Sequence, residues 1–286
     1  MDQTEKMEVA ATIFPLYDIV KIVGGEKINP ILILPPGSSP HTFEVSPSQV
    51  KQMQNVKLIF SIGMGMDAWA ENIAQVVNNA DIINLDQYIA LKPFELQGHK
   101  EEPAMEDGHS HENMDPNWDV DPHYWLDPDN ARIMAIRIAR HLGAIDAANK
   151  SYYESRAQDF IDDLMAKDSQ WEEKINLLNK KEIVVFHDAW GYFADHFGLK
   201  IVATFEPFPG KSPSPQYLIN LQNAIKTNNI TALFVEPQLS KEAITALADD
   251  LKVKVDVLDP LGGIGERNSY INMIEYNVKN IYDALK

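Results

Sequence analysis

The chain has no cysteine. That removes disulfides, thiolate metal sites and a cysteine nucleophile. It leaves the compartment open, because an oxidising space permits disulfides without requiring them. No run approaches the ~18 apolar residues of a membrane-spanning helix. Positive charge is scarce: 25 Lys and Arg stand against 42 Asp and Glu, a net −17 at pH 7. Such a field repels phosphate backbones and anionic membranes and draws cations, which argues against nucleic acid as a partner. HExxH, GxSxG and a phosphate-binding glycine loop are all missing. Gly262, Gly263 and Gly265 form a GG-x-G cluster, but without the strand–GxGxxG–helix context it reads as a turn.

What is present is an alternation of short β-rich runs and amphipathic segments. With 286 residues and 45% hydrophobic content there is room for one large domain or two of roughly 130 residues. EVAATIF reads as a strand and PLYDIVKIVGG as a helix stopped by Gly24 and Gly25. INPILILPP, VKLIFSIG and ADIINL read as further strands, with helices SPSQVKQMQN and DAWAENIAQVVNN between them. This rhythm predicts a parallel α/β sheet. It breaks from about Lys92 to Val120, a polar, acidic stretch carrying His99, His109 and His111. DPDN then opens a helix that Gly143 should end, and Asp146 caps a second helix running to about Leu178. Some thirty residues at 1.5 Å each give ~45 Å, enough for a spine between two lobes. After Lys181 the βα rhythm resumes with EIVVFH, LKIVATFEP, ITALFVEP and KVKVDVLDP as strands.

The expected fold is therefore α/β. Two βα-rich lobes, each with a mainly parallel sheet, are joined by a long rigid backbone helix. The lobes span residues 8–145, with the acidic loop at about 95–120, and 181–286; the linking helix spans 146–178. The start, MDQTEKMEVAATIF, is a short polar lead into the first strand. A mature secreted protein with an initiator Met in place of its signal begins this way, and so does a cytosolic one.

Three histidines sit where predicted strands or loops end: His41 in SSPHTFE, His123 in DPHYWLDP and His187 in VVFHDAW. Asp259, in VDVLDPLGG, ends another strand. Open α/β sheets bind ligands beyond the carboxyl ends of their strands, so a cleft between lobes can gather all four. Three imidazoles and a carboxylate suit zinc. Each also has a plain alternative. A histidine beside an apolar strand is commonly a hydrogen-bonded structural residue, and Asp259 before Pro260 and two glycines can be a turn residue. The prolines at 35, 36, 40 and 47 stiffen the segment around His41.

These pieces together resemble a known family. PPGSSPHTFEVSPSQV, HYWLDP after the acidic loop, FHDAWGYFADHFGL and VLDPLGG are similar to the metal-binding proteins of ABC transporters in the ZnuA-like (cluster A-I, TroA-like) group. The resemblance runs from ATIFPLYDIVKIVGG to the C-terminal helix. It implies two α/β lobes bridged by a rigid helix, and metal ligands at His41, His123, His187 and Asp259. It implies a monomeric, non-enzymatic solute-binding protein in the periplasm or on the cell surface, lipid-anchored in some precursors. Such a protein takes zinc and delivers it to an ABC permease, in some cases receiving it from a donor protein. Relatives that take manganese usually carry a carboxylate where this chain has His187, so zinc is favoured and manganese is the alternative. Some zinc members place a glutamate just before the first histidine; here Pro40 stands there. A zinc hydrolase is the rival from another class, with Glu206 or Glu236 as its base. An adhesin is a third, since some surface relatives carry that name. Ligation by histidine also implies that zinc affinity falls as pH drops from about 7 to 5.

The acidic loop has two readings: His99, His109 and His111 capture zinc weakly and pass it to the cleft, or they are incidental to a solvated loop. Deleting residues 95–119 separates them. A capture loop loses zinc stoichiometry or transfer from a donor; an incidental one leaves both unchanged, as measured by titration and donor competition.

Overall fold

The computed structural model describes residues 6–77, 80–94, 120–206, 213–238 and 242–286, with only the backbone of 242 and 243. The loop histidines His99, His109 and His111 lie outside the described residues. The first sheet holds β1 (Met7–Ala11), β2 (Ile28–Leu32), β3 (Leu58–Ser61) and β4 (Asp81–Asn84), all parallel, in the order β2-β1-β3-β4. The second holds β5 (Glu182–Val185), β6 (Lys200–Thr204), β7 (Ala232–Val235) and β8 (Lys254–Val257). It too is parallel, in the order β6-β5-β7-β8, so the two sheets repeat one winding.

Strand residues alternate between two cores, as a period of two demands. Val9, Ala11, Leu58 and Phe60 face a large central cluster, while Ala10 and Ile59 face an outer one. In the second sheet Ile183, Val185, Ala232 and Phe234 join that same central cluster, and Val184, Leu233 and Val235 face a separate outer core. One apolar core thus runs through both lobes. A shared core resists the wide hinge motion that a thin polar interface would allow.

Helices α1 (Phe14–Gly24), α2 (Pro47–Gln52) and α3 (Trp69–Val76) belong to the first lobe. α4 (Pro128–Ile145) follows the acidic loop and leads through a short turn into α5 (Lys150–Asn176). At 27 residues α5 is about 40 Å long. Its buried residues, Tyr153, Ala157, Phe160, Leu164, Trp171 and Ile175 among them, recur at helical spacing along one stripe. That stripe packs on α1, α4 and the C-terminal helix of the chain, Tyr270–Leu285. The expectation for Gly143 fails. α4 runs through it to Ile145, because the residue is needed where α4 meets α5: a Cβ there would stand 2.9 Å from the Lys150 side chain. Asp146 instead accepts hydrogen bonds from Asn149 Nδ2 and Tyr153 Oη at 2.7 and 2.8 Å, holding the turn.

α6 (Gly191–Phe197) of the second lobe carries His196 between two carboxylates of other elements. Its Nδ1 lies 3.0 Å from Asp127 at the N-terminus of α4, and its Nε2 lies 2.7 Å from Asp168 on α5. Arg132 pairs with Asp129 and lies 3.5 Å from Asp168. Asp127, Asp129 and His196 stand close enough to suit a metal. Both imidazole nitrogens are already committed, however, and Asp129 has its arginine, so the group is an ion-pair clamp. Burial pushes His196 down and the two carboxylates push it up further, to about 9.

A folded-state pKa above the unfolded value means the clamp stabilises below about pH 6.5 and loses its effect as pH rises through about 9. Discounted for the solvent that reaches the site, the loss between pH 7 and 10 is about 1–2 kcal/mol. Urea midpoints across that range should fall for the native chain, and H196Q should lose that part of the slope. Parallel profiles for the two would show that the clamp contributes nothing.

Candidate metal centre

Each of the three histidines reaches the cleft from a different element. His41 sits in a short 3-10 turn, Pro40–Thr42, at the end of the proline-rich loop after β2. His123 precedes the turn Tyr124–Leu126 that leads into α4. His187 lies two residues beyond β5. Their ring centroids form a near-regular triangle of 5.3, 5.6 and 5.8 Å, and one nitrogen of each lies within 4.8 Å of the others. His123 and His187 are buried, at 2% and 5% exposure; His41 closes the group from the first lobe.

The far side of two rings is held by a carboxylate. His123 Nδ1 lies 2.7 Å from Asp121 Oδ1, which also accepts the His123 backbone N–H at 2.9 Å. His187 Nδ1 lies 2.6 Å from Glu236 Oε1, just past β7, and the Trp190 indole N–H donates to the same oxygen at 3.2 Å. A carboxylate on Nδ1 places the proton there and leaves Nε2 as a bare acceptor. His187 Nε2 is buried with no hydrogen-bond partner. Gln238 Oε1, on the same cavity, is likewise buried and unpartnered. Orphaned buried acceptors are rare and costly, about 1–3 kcal/mol each, so a cluster of them facing one space calls for an occupant.

That space is small. The cavity between Ser39–Pro40, the three histidines, Trp125, Glu236, Gln238 and Pro260–Leu261 holds about 20 Å³. One water needs roughly 10–15 Å³ on the same measure, so the site admits a single ion or water and no organic substrate.

Asp259 stands apart from the triangle. It lies two residues beyond β8, and its carboxylate is outside the group whose ligand atoms converge. Oδ1 accepts from the backbone N–H of Leu261 and of Gly262, both at 3.0 Å, and from Gln238 Nε2 at 2.9 Å. Oδ2 is paired with Arg267 Nε at 3.2 Å. The turn that follows depends on glycine. Gly262 and Gly263 have φ of 65° and 84°, and a Cβ on Gly263 would stand 3.0 Å from Phe14 and 3.3 Å from Pro36. Only glycine lets this loop close against the first lobe. The positioning roles of Asp121, Glu236 and Arg267 went unforeseen. Asp121, two residues before His123, was a readable local signal; Glu236 is 49 residues from its histidine. Its place on His187 Nδ1 makes it an orienting group rather than the base of the rival hydrolase reading.

The electrostatics separate the three imidazoles. Burial pushes His41 down to about 2, aided by repulsion from His123 and His187. Burial and His187 push His123 well down. Burial lowers His187 too, but Glu236 outweighs it and the net shift is upward. Burial raises Asp121 to about 7. Of the three, His187 is thus the one whose charged form the site favours.

A family model described as ZnuA, zinc-uptake complex component A, periplasmic, matches residues 9–284. The high-affinity zinc uptake system protein ZnuA of Yersinia pestis is 28% identical over 290 residues, covering 97% of this chain and 91% of that protein. The zinc-binding lipoprotein AdcA of Streptococcus pneumoniae serotype 4 is 28% identical over 281 residues. That match takes in 96% of this chain but only 55% of AdcA, so the chain spans about half the length of that relative. A crystal structure of ZnuA superposes with a TM-score of 0.84 at 27% identity, covering 99% of this chain and 100% of that one.

The charge order yields a direct check. In metal-free protein, imidazole nitrogen NMR should show His41 and His123 neutral from pH 8 to 5, with His187 the most readily protonated of the three. A His41 transition near 6.5 would overturn the burial argument. With matching sheets, a matching span and three converging imidazoles, the chain belongs to the ZnuA family of zinc-uptake components.

Proposed function

We propose that this chain captures zinc outside the cytoplasm and delivers it to the permease of an ABC transporter, with His41, His123 and His187 as nitrogen ligands and Asp259 as the oxygen ligand. The observation that carries the reading is His187 Nε2, a buried nitrogen with no hydrogen-bond partner, lining a cavity sized for one ion. Ligand atoms about 2.1 Å from a tetrahedral zinc stand ~3.4 Å apart, so three nitrogens already within 4.8 Å need only small side-chain shifts. Three imidazoles favour zinc over manganese, a harder ion that prefers oxygen. A cavity of about 20 Å³ has no place for a hydrolase substrate beside the ion. The chain acts as a monomer, and a lipid anchor on its precursor fits a zinc carrier held near its permease. No helix among the described residues is long and apolar enough to cross a membrane.

Binding exchanges the His187 proton for the ion. Because His187 is the one of the three whose charged form the site favours, affinity should fall with falling pH as a one-proton rather than a three-proton process. Three ordinary histidines would give a far steeper fall.

Chelator-stripped protein should bind one zinc per chain, with manganese about 100-fold weaker or more. H41A, H123A and H187A should each lose about 100-fold in zinc affinity; D259A should lose less, since water can replace a single oxygen donor. Equal zinc and manganese affinities would reopen the cargo. No tight metal, or histidine variants that bind as the native chain does, would sink the proposal.

A further inference from the structure

Asp259 lies two residues past β8, the last strand of the second lobe, with a side chain 1% exposed. Oδ1 is saturated by three donors: the N–H groups of Leu261 and Gly262, and Gln238 Nε2. Oδ2 is the only oxygen left to give, and it is held by Arg267 Nε at 3.2 Å. The arginine is 16% exposed, so water screens this pair weakly. Arg267 also has other partners within reach. Its Nε lies 3.3 Å from the Ile264 carbonyl, and its guanidinium carbon lies 4.9 Å from the centre of the Tyr276 ring. Pro260 and Leu261, next along the chain, line the cavity that the three histidines face, as does Gln238.

We propose that Arg267 is an intramolecular competitor of the cargo ion for Asp259. In the empty protein the guanidinium occupies Oδ2. A captured dication takes that oxygen and leaves Arg267 to the Ile264 carbonyl and the Tyr276 ring. On release the arginine reclaims it. This rests on the zinc reading above. Affinity is then set by a contest between two cations for one oxygen, and by linkage whatever strengthens the arginine's hold weakens the ion's by the same factor. Such a competitor suits a carrier that must let go: it supplies a replacement charge for Asp259 as the ion leaves, so the buried carboxylate is never left bare. A merely structural arginine predicts the opposite sign. If Arg267 only braced the loop, removing it would loosen Asp259 and weaken zinc.

The test is a double-mutant cycle on the full chain, with zinc affinity read by chelator competition and zinc release read by transfer to excess chelator. R267Q should tighten zinc about tenfold, the size of a coupling between a shielded ion pair and a bound ion, and slow release to match. R267K keeps the charge but not the Nε contact, and should fall between R267Q and the native chain. D259N should weaken zinc, and adding R267Q to D259N should change nothing further. Unchanged or weaker binding by R267Q overturns the proposal. So does equal tightening by R267Q in the D259N background, which would make the effect one of distant charge. A D259N variant that binds as the native chain does removes Asp259 from the contest and overturns it too. Native protein that binds no zinc fails the functional reading itself, a result seen before any variant is made.

Discussion

Everything at the centre of this fold follows from one constraint: three imidazoles must point bare nitrogens at a single dry space. Protonated rings would repel one another there, and neutral rings with unpartnered nitrogens pay for lost hydration. The fold meets the first difficulty with burial, which drives His41 and His123 far below their ordinary values. It meets the second only in part. Asp121 and Glu236 satisfy the outer nitrogens of His123 and His187 and set their tautomers, but they leave the inner nitrogens for an occupant. The site is thus built to be completed by a cation, and the overall charge of −17 gives that cation a favourable approach.

The scaffold is stiff enough to hold such an arrangement. His41 comes from one lobe and His187 from the other, yet their rings are already 5.8 Å apart. Three features keep them there. The central apolar core includes strands of both sheets. Cross-lobe hydrogen bonds flank the site, with Trp125 Nε1 donating to Pro260 O and Tyr192 Oη to Asp121 O, at 2.8 and 3.1 Å. Farther out, His196 ties the second lobe to α4 and α5. Pre-positioned ligands save the ordering cost that would otherwise be charged against affinity.

Much of this was legible in the chain because the relevant signals are local. Strand and helix alternation announced two parallel sheets, and His187 stood just past a strand end, where such sheets bind ligands. The failures came where a local signal was overruled by a distant contact. Gly143 reads as a helix stop, yet it is there to let Lys150 pass close by. Glu236 had only the role of base in the rival hydrolase reading, and only the fold puts it on a histidine 49 residues away. Asp259 has two readings, of which the structure supports the turn residue, while ligation stays a proposal. It caps the turn through Leu261 and Gly262, and it borders the cavity through its neighbours. What the sequence pattern did not reveal was that Arg267, eight residues on, returns to occupy the oxygen that remains.

A carrier differs from a storage site in needing both capture and surrender, and this site has the chemistry for each in separate residues. His41 and His123 are poor bases, so protons barely contest them. His187 is the better base, because Glu236 favours its charged form, and there a proton does contest the ion. At Asp259 the rival is a fixed cation rather than a mobile one. Removing any ligand to weaken binding would leave a buried acceptor or charge exposed to the cavity, at a cost to the empty protein. Letting a proton and an arginine compete weakens binding without that cost, since each takes up the position the ion vacates. On the proposed reading, the empty state is kept stable enough to return for another ion, and the loaded state is kept loose enough to be emptied.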